Sequence, residues 1–299
     1  MNTRSIYLFL FISCIFISNA LGQANLLNAR VPQEIGQFNE KQNLANDETP
    51  LAYGYIDDRD ILWSKTIWEI VDLDERINFP YYYPTDTLNL GPDRRSLFHV
   101  LKKNLRNGTI KEVYDDDYFQ SKLTYQEILD KLVAIDTLEA GIEQLNAGEE
   151  LDPQYINRTT ITAASIRQYR IKGNWYVNKR LGELKYRLLG IAPVAPDVYT
   201  LNLPEEEQDL VELFWVWFPD ARESLNSSLV FNNKNSSQPI TFDHMLNSRR
   251  FNSLIYKEEN VYEDRKIEEY IFEDALQQLL ESERVKSVIR DFEQDLWNN

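Results

Sequence analysis

Few residues in this sequence have the type and spacing that chemistry demands. Two histidines stand among 299 residues. His99 falls inside an apolar run beside Phe98 and Val100, and His244 opens another run. A lone histidine in a helix is more often packed or capping than a base. Asp57-Asp58-Arg59-Asp60 and Asp115-Asp116-Asp117 offer oxygen ligands of the kind calcium takes, but without the alternating acids and glycine of an EF-hand loop. They read as solvated loop acids. Zinc needs three or four ligands at set spacing, and that pattern is missing. A glycosidase needs two opposed carboxylates, which 48 acidic residues always offer. Phe79-Pro80-Tyr81-Tyr82-Tyr83-Pro84 is either a platform for sugar rings or aromatic packing at a bend. There is no Gly-rich phosphate loop and no serine in a G-x-S-x-G setting. The residues therefore predict no catalytic, cofactor-binding or metal-binding site. The enzymatic alternative is a secreted carbohydrate-active or sugar-binding protein using carboxylates and Tyr81, Tyr82 and Tyr83.

The chain's ends and charge narrow the class. Residues 1–22 have the parts of a secretory signal: Arg4, an apolar core too short to span a bilayer, and small residues at Ala20 and Gly22. Cys14 lies inside that core, so the expected mature chain has no cysteine and neither disulfide nor thiolate chemistry. Its remaining 277 residues (299 − 22) are enough to bury roughly 70–75% of the unfolded surface without disulfides. The formal charge of −16 becomes −17 once Arg4 is removed. Such a field repels nucleic acid and anionic lipid. Residues 23–52 are rich in Asn, Gln, Glu and Ala and read as a flexible arm.

The elements follow from periodicity and punctuation. Residues 66–73 and 110–114 read as strands. Asp93 is the expected cap of a helix carrying Leu97, Phe98, Val100, Leu101 and Leu105, stopped by Asn107-Gly108. Thr124 and Glu127 form a capping-box pattern ahead of Ile128, Leu129, Leu132 and Val133. In the second half, residues 213–218 form an apolar, aromatic run ended by Pro219, read as a buried strand. Thr241 caps a short helix, residues 253–256 make a strand, and Phe272 to Leu296 form a long helix with apolar residues at three-to-four spacing. The order of elements recurs. Matching Trp68 to Trp217, Tyr114 to Tyr256 and Leu129 to Leu276 gives offsets of 149, 142 and 147. The expected fold is α+β, with two similar lobes at 53–147 and 201–299 arising by duplication.

Between them, residues 148–200 hold a linker and a central β-hairpin. Tyr169 and Ile171 alternate with Arg170 and Lys172; Leu184, Tyr186 and Leu188 alternate with Lys185 and Arg187. Gly190-Ile191-Ala192-Pro193-Val194-Ala195-Pro196 is expected to close the hairpin. Residues 158–187 carry eight bases and one acid in an acidic protein. The strip of Arg167, Arg170, Lys172, Lys185 and Arg187 reads as a solvated face or a docking face for an acidic partner. The acidic tracts 115–117 and 258–264 of a neighbouring copy are candidate counterparts.

One stretch is specific. Asp58-Arg59-Asp60-x-x-Trp63-Ser64-Lys65-x-x-Trp68-Glu69-x-x-Asp72, followed by Phe79-Pro80-Tyr81-Tyr82-Tyr83-Pro84, resembles the GldN family of gliding-motility proteins, called PorN in non-gliding relatives, of the type IX secretion machinery of Bacteroidota. The basic hairpin leading into Gly190-Ile191-Ala192-Pro193-Val194 is similar to the middle of that family, and the likeness spans residues 53–270. The resemblance implies a non-enzymatic structural subunit in the periplasm without cofactors. It implies assembly into a ring with an outer-membrane lipoprotein (GldK or PorK) and contact with an inner-membrane-anchored protein (GldM or PorM).

Overall fold

The computed structural model describes residues 50–86, 94–148, 152–231, 240–272 and 274–297. The expected signal segment, the arm up to residue 49, residues 149–151 of the linker and the expected cap Asp93 lie outside them.

The chain enters through β1 (Ile61–Asp72), a strand of β-branched and aromatic residues buried on both faces at Ile67, Trp68, Glu69 and Val71. A short helix α1 (Phe79–Tyr82) follows, with Pro80 in its first turn where a missing N–H costs nothing. Helix α2 (Leu97–Arg106) is capped by Ser96, whose side chain accepts from His99 N, and ends at Asn107 before Gly108 at φ 71°. Strands β2 (Val113–Tyr114) and β3 (Lys122–Leu123) form a hairpin. The expected capping box opens α3 (Tyr125–Leu132): Thr124 Oγ1 accepts from Glu127 N while Glu127 Oε2 accepts from Thr124 N. Next come β4 (Val133–Thr137), α4 (Glu139–Asn146) and β5 (Ile156–Thr160), with β4 and β5 forming a separate two-stranded ribbon.

The expected hairpin is β6 (Gln168–Asn178) and β7 (Glu183–Pro196). Asn178 Oδ1 accepts from Arg180 N and Gly182 takes φ 62°, so the turn follows from an Asn and a Gly. The 190–196 stretch does not close the hairpin; it is part of β7. Pro193 loses its donor but keeps its acceptor, which takes Leu213 N at 3.0 Å. The apolar run 213–218 is buried almost throughout, but only β9 (Trp215–Trp217) pairs, after β8 (Leu210–Glu212). Pro219 begins a helix, α5 (Phe218–Asn226), instead of a loop, because proline fits a first helical turn. Strands β10 (Leu229–Val230) and β11 (Ile240–Thr241) lead to α6 (Phe242–Asn247), capped by Thr241 as expected. The chain ends with β12 (Leu254–Glu258), α7 (Ile267–Tyr270) and α8 (Ala275–Trp297). Among the described residues no helix is long and apolar enough to cross a membrane.

The strand order is β12-β1-β6-β7-β9-β2-β3, with β8 also paired to β7 and every pairing antiparallel. The recurring order is present: strand, Phe-Pro helix start, Ser/Thr-capped helix, strand, helix. The two expected lobes are not. The second strand of each half pairs with the first strand of the other, β12 with β1 and β2 with β9, around the β6–β7 hairpin. Residues 50–299 form one unit for that reason. Helices α1, α2, α5 and α6 bury Tyr81, Leu97, Leu101, Phe218, Leu225, Phe242 and Leu246 in one core with Tyr169, Ile171 and Ile191 of the hairpin. Helix α8 buries Val285 and Ile289 against Ile67 and Ile255.

Candidate functional site

Trp68 and Glu69 are neighbours in β1, so the pleat sends them to opposite faces. Each is the centre of a charge cluster.

Trp68 lies in register between Lys172 on β6 and Lys257 on β12. Both ammonium groups sit over its ring, at 4.7 and 4.3 Å. The β2–β3 loop crosses above as a strap, residues 115–121, and lays Tyr118 over the same two groups at 4.6 Å each. Two desolvated cations are thus held between two aromatic rings, a contact worth up to about 2 kcal/mol each. Asp117 adds one carboxylate: its Oδ2 accepts from Lys257 at 2.7 Å and its carbonyl from Lys172 at 2.8 Å. Burial holds Lys172 below its ordinary 10.5. Burial also opposes charge on Lys257, but the Asp117 hydrogen bond outweighs it and raises the value.

The strap is itself locked. Asp116 accepts from the backbone N–H of Tyr118, Gln120 and Ser121. Asp115 pairs with Lys131, and Tyr118 OH donates to Asp264 at 2.9 Å. Phe119 takes φ 60°, a left-handed conformation that costs on the order of 1 kcal/mol outside glycine. Its ring then meets the edges of Tyr114, Trp215 and Trp217 and covers Gly190, where a methyl group would overlap it. The acidic run read as solvated loop, and as a counterpart for the basic strip of another copy, meets that strip within its own chain.

On the other face Glu69 is fully buried. Arg249 grips both of its oxygens, at 2.7 and 2.8 Å. Ser253 Oγ adds a bond at 2.7 Å and Tyr186 OH one at 3.2 Å. Burial opposes ionisation, but these donors prevail and hold the carboxyl below its usual 4.5. Arg249 takes φ 50° and lies among the rings of Tyr186, Trp175 and Phe251. Tyr186 reaches Glu69 by lying over Gly173, where a Cβ would overlap its ring and hydroxyl. A third buried pair, Arg222 with Asp243 at 2.8 and 3.1 Å, carries the Tyr53 ring at 4.2 Å. Tyr53 donates to Asn247 Oδ1, and burial raises its hydroxyl to about 12.

The five basic residues singled out in the sequence are not one solvated face. Lys172 is buried in the cage, and Arg170 lies on the Tyr256 ring at 4.4 Å. Arg187 lies on Tyr53 and donates to Gly54 O at 2.9 Å. Arg167 pairs with Glu205 at 2.6 Å and Lys185 with Glu183 at 3.1 Å. Lys257, Glu69 and Arg249 were not singled out as site residues, and Asp117 was read only within the 115–117 acidic run. A single acid inside the apolar string Ile67-Trp68-Glu69-Ile70-Val71 was the available signal for Glu69. His99 and His244 each present a backbone N–H to a capping hydroxyl, of Ser96 and Thr241. Tyr81 is core, packed on Phe242 and Phe251, and only Tyr83 of the 81–83 run is exposed, so the run is not one sugar platform. Asp57 caps a single turn and Asp60 pairs with Arg180 at 2.8 Å. Among the described residues no group of three His, Cys, Asp or Glu is placed to hold a metal ion.

A comparison with curated proteins finds no match. The family described as gliding motility associated protein GldN matches residues 56–298, so the chain belongs to the GldN family and is a component of gliding motility and type IX secretion.

Proposed function

We propose that this chain is a non-enzymatic structural subunit of that machinery, held in the periplasm and assembled with a GldK- or PorK-like outer-membrane lipoprotein into a ring. A GldM- or PorM-like protein anchored in the inner membrane contacts the assembly. The observation that carries the reading is the family match from residue 56 to residue 298. Support comes from the state of the charged groups: Glu69, Lys172 and Lys257 all find their partners in the same chain, an arrangement that stiffens a fold. Within the basic strip, Arg167 and Lys185 keep side chains 39% and 41% exposed. These two, rather than Arg170, Lys172 and Arg187, are the members that dock on an acidic neighbour and set its orientation.

Deleting the gene tests the reading. The expected result is loss of export of proteins carrying a type IX signal, restored by the intact gene. Co-purification of the chain with the lipoprotein, and ring-shaped particles in electron micrographs, are expected alongside. Normal export in the deletion strain overturns it.

A further inference from the structure

We propose that the outer face of α8 is the docking site for a basic amphipathic helix of a different protein. Helix α8 is anchored by its inner face. Ser282 and Val285 are fully buried, Ser282 Oγ accepts from Ile255 N at 2.9 Å, and Lys286 donates to Ser253 O at 2.8 Å. Trp63 stacks on Phe292 at 4.8 Å. The opposite face is also apolar. Leu276, Leu279 and Leu280 stand at the spacing of one helical ridge and are 66%, 46% and 60% exposed, and Phe272 just ahead of them is 75% exposed. Scattered exposed leucines need no explanation, but a contiguous patch on a fixed helix marks an interaction surface. A ridge of this kind fits between the ridges of a second helix.

The charge around the ridge selects the occupant. Residues 259–283 hold nine acids and two bases. Of those bases, Lys266 pairs with Glu268 at 3.4 Å. The basic residues that follow are tied down along the helix, Arg284 to Glu281 and Lys286 to Glu283. A second copy of this chain is a poor occupant. Another exposed apolar group among the described residues, Ile135, Leu138, Ile142 and Ile156, lies in residues 133–160 with six acids and one base. Joining those patches would press two acidic rims together. An apolar strip flanked by Lys or Arg satisfies ridge and rim at once. The inference adds a partner chemistry to the proposed assembly and rests on that reading only for the existence of a partner.

The test uses the full chain and a synthetic 18-residue amphipathic peptide with a leucine face and lysine flanks, beside a twin with glutamate flanks. Anisotropy of labelled peptide is expected to show the lysine form binding at least about tenfold more tightly. Leu276→Gln with Leu280→Gln is expected to weaken it by at least about tenfold, with unchanged circular dichroism because both side chains are exposed. Glu268→Gln, Glu269→Gln and Glu283→Gln together are expected to weaken it several-fold and flatten its salt dependence. Equal binding by the leucine variant overturns the proposal. So does sedimentation showing self-association of the wild type that the leucine variant abolishes, or uptake by phosphatidylcholine vesicles through the same residues. None of these outcomes bears on whether the deletion strain exports cargo, so the two readings fail separately.

Discussion

The two faces of β1 handle buried charge differently. Behind Glu69, one carboxylate meets one guanidinium and two hydroxyls, and the charges cancel within hydrogen-bonding distance. In front, around Trp68, two ammonium groups lean on two rings, with Lys257 bonded to the Asp117 carboxylate and Lys172 to the Asp117 main-chain carbonyl. The first arrangement is stoichiometric, so loss of either partner leaves a naked buried charge. The second is distributed over rings, a carboxylate and a carbonyl, so loss of Lys172 strands no opposite charge, whereas loss of Lys257 strands Asp117. Both use the same devices: a strand glycine beneath an aromatic ring, and a non-glycine residue in the left-handed region that aims the key side chain. A glycine without a side chain exposes strand backbone, and the ring covers it.

The largest effect is expected at the stoichiometric centre. Glu69→Leu strands Arg249 and should cost about 3–4 kcal/mol in urea unfolding. The double variant with Arg249→Leu should recover much of that loss, because two apolar groups replace a pair that had to be desolvated. A loss below about 1 kcal/mol for the single change would break the comparison, since a stranded buried charge is not that cheap. Next come the glycines. Gly173→Ala displaces Tyr186 and with it a donor to Glu69; about 2–3 kcal/mol is expected, at the upper end for overpacking. Gly190→Ala lifts Phe119 and the strap instead. It should cost less, about 1–2 kcal/mol, and should speed amide exchange in residues 115–121 before it alters the rest.

Within the cage the two lysines should part company. Lys257→Met leaves Asp117 unpaired and should cost about 1–2 kcal/mol. Lys172→Met keeps the contact with Trp68 and removes a charge that burial disfavours, so a change within about 1 kcal/mol of zero is expected. Equal losses at both sites would mean that Asp117 serves them equally. The smallest effect is in the pH profile. Glu69 has a depressed folded value, so its contribution is present above its ordinary 4.5 and is lost as pH falls below it. Lys172 is depressed by burial, so it opposes folding while charged and stability should rise slightly as pH climbs toward 10.5. Unfolding titrations of Glu69→Leu with Arg249→Leu should show a shallower acid limb, and those of Lys172→Met a flatter alkaline one.

Much of the fold was legible because it is written locally. The Thr124–Glu127 box, the Thr241 cap and the alternation of 169–172 are short-range signals, and each appears where its residues stand. The class α+β and the family follow from such stretches. What failed to show is long-range. Glu69 and Arg249 are 180 residues apart, and Asp117 and Lys257 are 140 apart. Alternation correctly placed Arg170 and Lys172 on one face, but only the strap decides whether that face is wet. The cap at Ser96 in place of Asp93 is an ordinary boundary shift of three residues.

The cross-pairing of the halves has a bearing on how the chain acquires its shape. Strand β1 waits for a partner near residue 258, and β2 for one near residue 216. Synthesised from the N-terminus, the first half emerges with the far edge of β1 open and Trp68 without Lys257. Such distant pairings fold slowly, because loop closure precedes any stabilising contact. A chain cut after residue 250 therefore keeps an unsatisfied strand edge, a template for aggregation. The last strand to arrive covers β1 and becomes the edge in its place, with its Ile255 N–H taken by Ser282 Oγ.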